Sequence, residues 1–95
     1  MSNPKIADWA GKRVWLVGAS SGIGAALARE LAQRGARVAL SARNLEKLQA
    51  LGIEGALLLP CDATDTASLA STRASLLATW RGVDLVIYLA GTDPQ

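Results

Sequence analysis

The sequence predicts an α/β fold of three layers, in which four parallel strands run in the order 3-2-1-4 with helices on both faces. Three observations carry this. Four short apolar runs alternate with three helical stretches, and a glycine-rich turn joins the first run to the first helix. A composition of 51% hydrophobic and 19% charged residues suits strands covered on both sides. The 95 residues leave room for one domain over 1–95, whose first eleven residues are a lead-in.

Along the chain, Trp9 of the lead-in is expected to pack over the lower edge of the sheet. Strand 1 is Val14 to Val17. Helix 1 opens at the glycines near Gly22, sets Ile23, Leu27 and Leu31 on one stripe, and stops at Gly35, a residue suited to a left-handed helix end. Strand 2 is Arg37 to Leu40. Helix 2 takes Asn44 as N-cap, turns Leu45, Leu48 and Leu51 inward, and ends at Gly52. Strand 3 is Ala56 to Leu59. Helix 3 begins within Thr64 to Thr66, aligns Leu69, Leu76, Leu77 and Trp80, and ends at Gly82, before strand 4 at Leu85 to Ala90. Right-handed crossovers place the first two helices on one face and the third on the other, with a switch point between strands 1 and 4.

Several function classes are disfavoured. Ten Lys and Arg against eight Asp and Glu give a charge of +2, but the basic residues are scattered, so no nucleic-acid partner is expected. With no His and one Cys, the chain has no zinc-ligand spacing and no Ser-His or Cys-His pair. Cys61 reads as a reduced, buried small hydrophobe, which fits a cytoplasmic protein. The opening residues lack the apolar core of a signal peptide, and no apolar run approaches the roughly 20 residues of a membrane span.

Chemistry concentrates in Gly18-Ala19-Ser20-Ser21-Gly22-Ile23-Gly24. Glycines here allow a tight turn off the strand, close approach of backbone to a pyrophosphate, and close packing of helix on sheet. The helix N-terminus adds N–H donors and partial positive charge. A glycine-rich turn without a ligand is the plainer alternative. No Lys-Ser or Lys-Thr follows, which disfavours a nucleoside-triphosphate loop. About 20 residues on, an NAD-selective site would carry an acidic residue for the ribose 2'-hydroxyl. This chain has Ser41-Ala42-Arg43-Asn44 instead. Arg43 can meet a 2'-phosphate bidentately, with Ser41 and Asn44 as helpers, so NADP(H) is expected over NAD(H). A solvated Arg at a helix start is the alternative.

The spacing G-x-x-x-G-x-G resembles the cofactor loop of the short-chain dehydrogenase/reductase family. The resemblance extends from Lys12 to Gly91, through Arg43 after strand 2, Cys61-Asp62-Ala63-Thr64-Asp65 after strand 3, and Ala90-Gly91 after strand 4. It implies a Rossmann-like fold and a dinucleotide held by Gly18, Ser20, Ser21, Gly22, Ile23 and Gly24. It further implies that Asp62 and the backbone at Ala63 hold the adenine while Ala90 and Gly91 line the adenosine side. Asp62 could equally serve as a turn or capping acid before helix 3. Family members with Arg at the position of Arg43 generally prefer NADPH.

The chain departs from the family pattern at Tyr88-Leu89, where Asn-Asn is usual. Tyr88 is the one tyrosine, but Thr92 stands where a catalytic pair would need Lys, so Tyr88 is expected in the core. The family's catalytic Ser and Tyr-x-x-x-Lys would lie beyond residue 91. The chain is therefore expected to be the N-terminal cofactor-binding half of an oxidoreductase, truncated and inactive alone, with no catalytic residue. Its apolar strand-4 edge, Leu85 to Leu89, invites pairing into a homodimer or higher oligomer. The alternative function is a non-catalytic fragment or interaction module that associates through that edge.

Overall fold

The computed structural model of the protein describes residues 9–19 and 22–89. Its elements are β1 (Arg13–Val17), α1 (Gly22–Gln33), β2 (Arg37–Ser41), α2 (Leu45–Ala50), β3 (Leu57–Leu58), α3 (Thr66–Trp80) and β4 (Leu85–Tyr88). All strand pairings are parallel and the sheet order is β3-β2-β1-β4, as expected. Val14 of β1 lies level with Val38 of β2 and Leu85 of β4, and Val17 with Ser41 and Tyr88. β3 is shorter than its apolar run, and β4 ends at Tyr88.

Two apolar layers sandwich the sheet. Val14 and Leu16 of β1, Val38 and Leu40 of β2, Ala28 and Leu31 of α1, and Leu48 of α2 form one, with Trp9 packed against it. Trp15 and Val17, Ala39, and Leu76 and Trp80 of α3 form the other. α1 and α2 therefore share one face and α3 covers the opposite one.

The helix ends follow local chemistry. Gly35, at φ +94°, closes α1 while the Ala36 N–H donates to Leu31 O at 3.0 Å, satisfying a carbonyl that the helix leaves free. Asn44 Oδ1 caps α2 by accepting from Glu46 N at 2.8 Å and Lys47 N at 3.2 Å. Asp65 does the same for α3. At the other end of α3, expected to close at Gly82, it is Arg81 that takes the left-handed conformation, its N–H donating to Leu77 O.

Four expected core positions are corrected. Ile23 is 80% exposed, because Gly24, Ala25, Ala28 and Leu31 form the inward face of α1. Leu45 and Leu77 also stand at the surface, leaving Leu48 and Leu76 to carry their helices inward. Tyr88 is 61% exposed, because among the described residues β4 bonds to β1 alone and lies at the edge of the sheet.

Candidate functional site

The carboxyl ends of the strands converge where the sheet order reverses. After β1 the chain turns at Gly18, whose φ of +93° is left-handed. Gly18 N and Ala19 N both donate to Ser41 O, at 2.7 and 3.2 Å, which ties the turn to the end of β2. On the other side Leu89 N donates to Val17 O at 2.9 Å. A Cβ on Gly18 would lie 2.9 Å from Leu89 O, and one on Gly24 would lie 2.8 Å from Leu89 Cδ1 and 2.9 Å from Ala19 Cα. These two glycines let three backbone segments meet.

Gly22 differs. Its φ is +52°, yet a Cβ there would meet no atom within 4 Å among the described residues. Open space above a glycine at a helix N-terminus allows backbone N–H groups to approach an anion closely. Ile23, beside it, is likewise exposed. Ser20, Ser21, Ala90 and Gly91, also expected at the site, lie outside the described residues.

Arg43 follows β2 and is exposed, and among the described residues no hydrogen bond or ion pair engages its guanidinium. Asn44, next to it, spends its Oδ1 on the helix cap, so only Nδ2 remains as a donor. Ser41 requires a correction as a phosphate helper. It is 0% exposed, and its Oγ accepts from Trp15 Nε1 at 2.9 Å inside the core. A hydroxyl enclosed in this way presents no face to a ligand.

The loop after β3 is bonded alongside, with Leu59 N donating to Leu40 O and Cys61 N to Ala42 O. Asp62 Oδ1 accepts from Thr64 Oγ1 at 2.6 Å and Thr64 N at 3.0 Å, while Asp62 N donates to Ser68 Oγ. The Thr64 hydroxyl, then its amide, hold the Asp62 carboxyl below the usual carboxylate range; burial opposes this and the nearby Arg43 charge adds to it. Asp62 is thus a turn acid with its second oxygen uncommitted among the described residues, and Ala63 beside it is exposed. Cys61 is a free, buried thiol.

The arrangement places Gly18, Gly22, Gly24, Arg43, Asn44, Asp62 and Ala63 beyond the carboxyl ends of β1, β2 and β3. A helix N-terminus and a free guanidinium there can receive a ligand with separated negative charges. Thr64 and Leu89 were not foreseen as contributors. The spacing of Thr64 two residues after Asp62 was the available signal for the first, since Asp commonly bonds two residues ahead. Among the described residues, no group of three or more His, Cys, Asp or Glu is placed to hold a metal ion, and no helix is long and apolar enough to cross a membrane.

Residues 12–95 match the short chain dehydrogenase family. An uncharacterised oxidoreductase of Mycobacterium tuberculosis is 40% identical over 90 residues, an alignment covering 85% of this chain and 26% of that protein. Among solved structures, a short-chain dehydrogenase/reductase of Mycobacterium marinum superposes with a TM-score of 0.81 at 34% identity, over 90% of this chain and 37% of that one. A metagenomic short-chain oxidoreductase in complex with NADP gives 0.78 at 36% identity, over 83% and 38%. A 3-ketoacyl-(acyl-carrier-protein) reductase of Brucella melitensis complexed with NADH gives 0.76 at 26%, over 81% and 33%. The chain spans about a quarter to two-fifths of these proteins' lengths.

Proposed function

The chain belongs to the short-chain dehydrogenase/reductase family, and from that premise we propose that it is the NADP(H)-binding, N-terminal portion of an oxidoreductase. It acts as a partial domain over 1–95, led in by residues 1–11, and the acid-base residues of the reaction are not among its 95. Bound cofactor supplies or takes up hydride against a carbonyl or alcohol. In this reading the α1 N-terminus with Gly18, Gly22 and Gly24, and the neighbouring Ser20, Ser21 and Ile23, holds the pyrophosphate. Asp62 and Ala63 hold the adenine, with Ala90 and Gly91 lining the adenosine side. Arg43, assisted by Asn44, meets the 2'-phosphate. The observation that supports the NADP preference is Arg43 itself, exposed after β2 and without a hydrogen bond or ion pair among the described residues, where an NAD-selective site has a carboxylate.

Calorimetric titration tests this reading. NADPH should bind more tightly than NADH, and Arg43→Ala should reduce that preference by roughly 10- to 100-fold, the worth of a charge-assisted contact. Equal affinities for the two cofactors would overturn the preference. Binding of neither would overturn the cofactor reading.

One observation favours a second role. Leu85, Val86 and Tyr88 are all exposed along β4, an apolar edge with one side unpaired among the described residues. Two such edges joined antiparallel about a two-fold axis would make an eight-stranded sheet in a homodimer, and the same edge would serve a non-catalytic interaction module. Light scattering at micromolar concentration should give a dimer mass that Val86→Lys lowers to the monomer. A monomer in both would remove this role. The buried, reduced Cys61 fits a cytoplasmic location.

A further inference from the structure

Trp15 is a large aromatic in a strand covered on both faces, and it is 1% exposed. An indole N–H so placed needs an acceptor, because leaving a buried donor unpaired costs about 1 to 3 kcal/mol. The acceptor is Ser41 Oγ, 2.9 Å away across the β1–β2 ladder. Ser41 is itself fully buried, and no buried side-chain polar atom is left unpaired among the described residues. An apolar residue of the same size would fill this position but leave the indole N–H without its acceptor, so the hydroxyl has a role beyond volume.

That role follows from what else Ser41 holds. Its carbonyl accepts from both Gly18 N at 2.7 Å and Ala19 N at 3.2 Å, the two amides through which the chain leaves β1 and enters the glycine turn. Two residues further on stands Arg43. One residue therefore joins the core, the phosphate-facing turn and the strand end that presents the guanidinium. We infer that the Trp15–Ser41 hydrogen bond positions the glycine turn: the indole fixes the end of β2, and the Ser41 carbonyl fixes Gly18 and Ala19. Ser41 is a positioning residue that never touches the ligand. The inference rests on the cofactor reading.

The test uses the full chain, labelled with ¹⁵N, as wild type and as Ser41→Ala, Trp15→Phe and Ser41→Thr. Loss of the bond from either side should shift the Gly18 and Ala19 amide signals and speed their hydrogen exchange about tenfold, while Val38 and Ala39 in the same strand stay protected. NADPH and NADH should both bind about tenfold more weakly, equivalent to one hydrogen bond, with their ratio unchanged, unlike the change expected for Arg43→Ala. Ser41→Thr, which keeps the hydroxyl, should restore affinity. A variant with a lower melting temperature but unchanged dissociation constants and unchanged Gly18 and Ala19 exchange would overturn the inference, because the bond would then serve stability alone. A wild-type chain that binds neither nucleotide would instead overturn the cofactor reading, and this inference with it. Should Ser41→Ala fail to fold, Trp15→Phe answers the same question from the donor side.

Discussion

β1 and β4 are neighbours in one sheet, bonded in register and built from similar residues, yet they occupy opposite environments. Arg-Val-Trp-Leu-Val of β1 is buried from its second residue onward, whereas three of the four residues of β4, Leu-Val-Ile-Tyr, are exposed. Trp15 lies level with Val86, the first 1% and the second 38% exposed. Side-chain character does not separate them; the number of covered flanks does. β1 has a strand on each side and a helix layer on each face, while β4, among the described residues, is bonded on one side only. β4 is nevertheless attached at both ends, by the Arg13–Asp84 pair at its start and by the Leu89 N–H donating to Val17 O at its finish, beside Gly18 and Gly24.

The largest expected difference comes from cutting each strand in its middle. Leu16 is fully buried among Val14, Leu40 and Leu31, so Leu16→Ala should destabilise the fold by about 2 to 5 kcal/mol. Val86→Ala, on the exposed strand, should cost less than about 1 kcal/mol. Urea unfolding at low protein concentration, where self-association does not contribute, measures both. Comparable losses would mean that β4 is covered in solution.

The same contrast explains how much could be read without coordinates. Strand order and helix faces were legible because alternating apolar runs admit few topologies. The inward face of α1 was hidden, since Gly24, Ala25 and Ala28 carry little hydrophobic signal beside Ile23, which points away. Tyr88 was misplaced although strand 4 was expected at the sheet edge, because its apolar run reads as a strand buried on both faces and the open flank was not carried through to the side chain. At the site, spacing and the family resemblance were enough to propose the glycines, Arg43 and Asp62. Ser41 was not, because a strand buried on both faces has no polar alternation to mark which way a hydroxyl points. The need of Trp15 for an acceptor was the signal available, but it named no residue.

A second, intermediate effect concerns the point where β4 closes on β1. Gly18→Ala combines a left-handed φ of +93° with a Cβ placed 2.9 Å from the backbone oxygen of Leu89, which cannot swing aside. The expected cost is about 1 to 3 kcal/mol. Gly22→Ala, with φ +52° and open space, should cost only the left-handed strain of about 1 kcal/mol. Thermal melting of the two variants separates strain from collision. Equal losses would show that Leu89 yields and that the far end of β4 is loosely held.

The smallest effect lies at the near end of β4 and depends on pH. Asp84 accepts from Arg13 N at 2.7 Å, Nε at 3.1 Å and Nη2 at 3.3 Å, and these bonds, the side-chain ones foremost, bring its pKa from 3.8 to about 2. Since the folded state is the stronger acid here, the ionised carboxylate favours folding. Its contribution is complete above pH 4 and is lost as pH falls through about 2. The side chains of Arg13 and Asp84 are 31% and 38% exposed, so water and salt screen the pair. Asp62, also held below the usual range, adds a slope of the same sign, which means that Asp84→Asn should flatten the acid limb without abolishing it. Unfolding measured from pH 5 to pH 2, in low salt and in 1 M salt, should show the wild-type curve falling more steeply than the variant's and the gap narrowing with salt. Coincident curves would leave the start of β4 to the backbone ladder with β1 alone, and its attachment would then rest on the Leu89 end, where the glycines are.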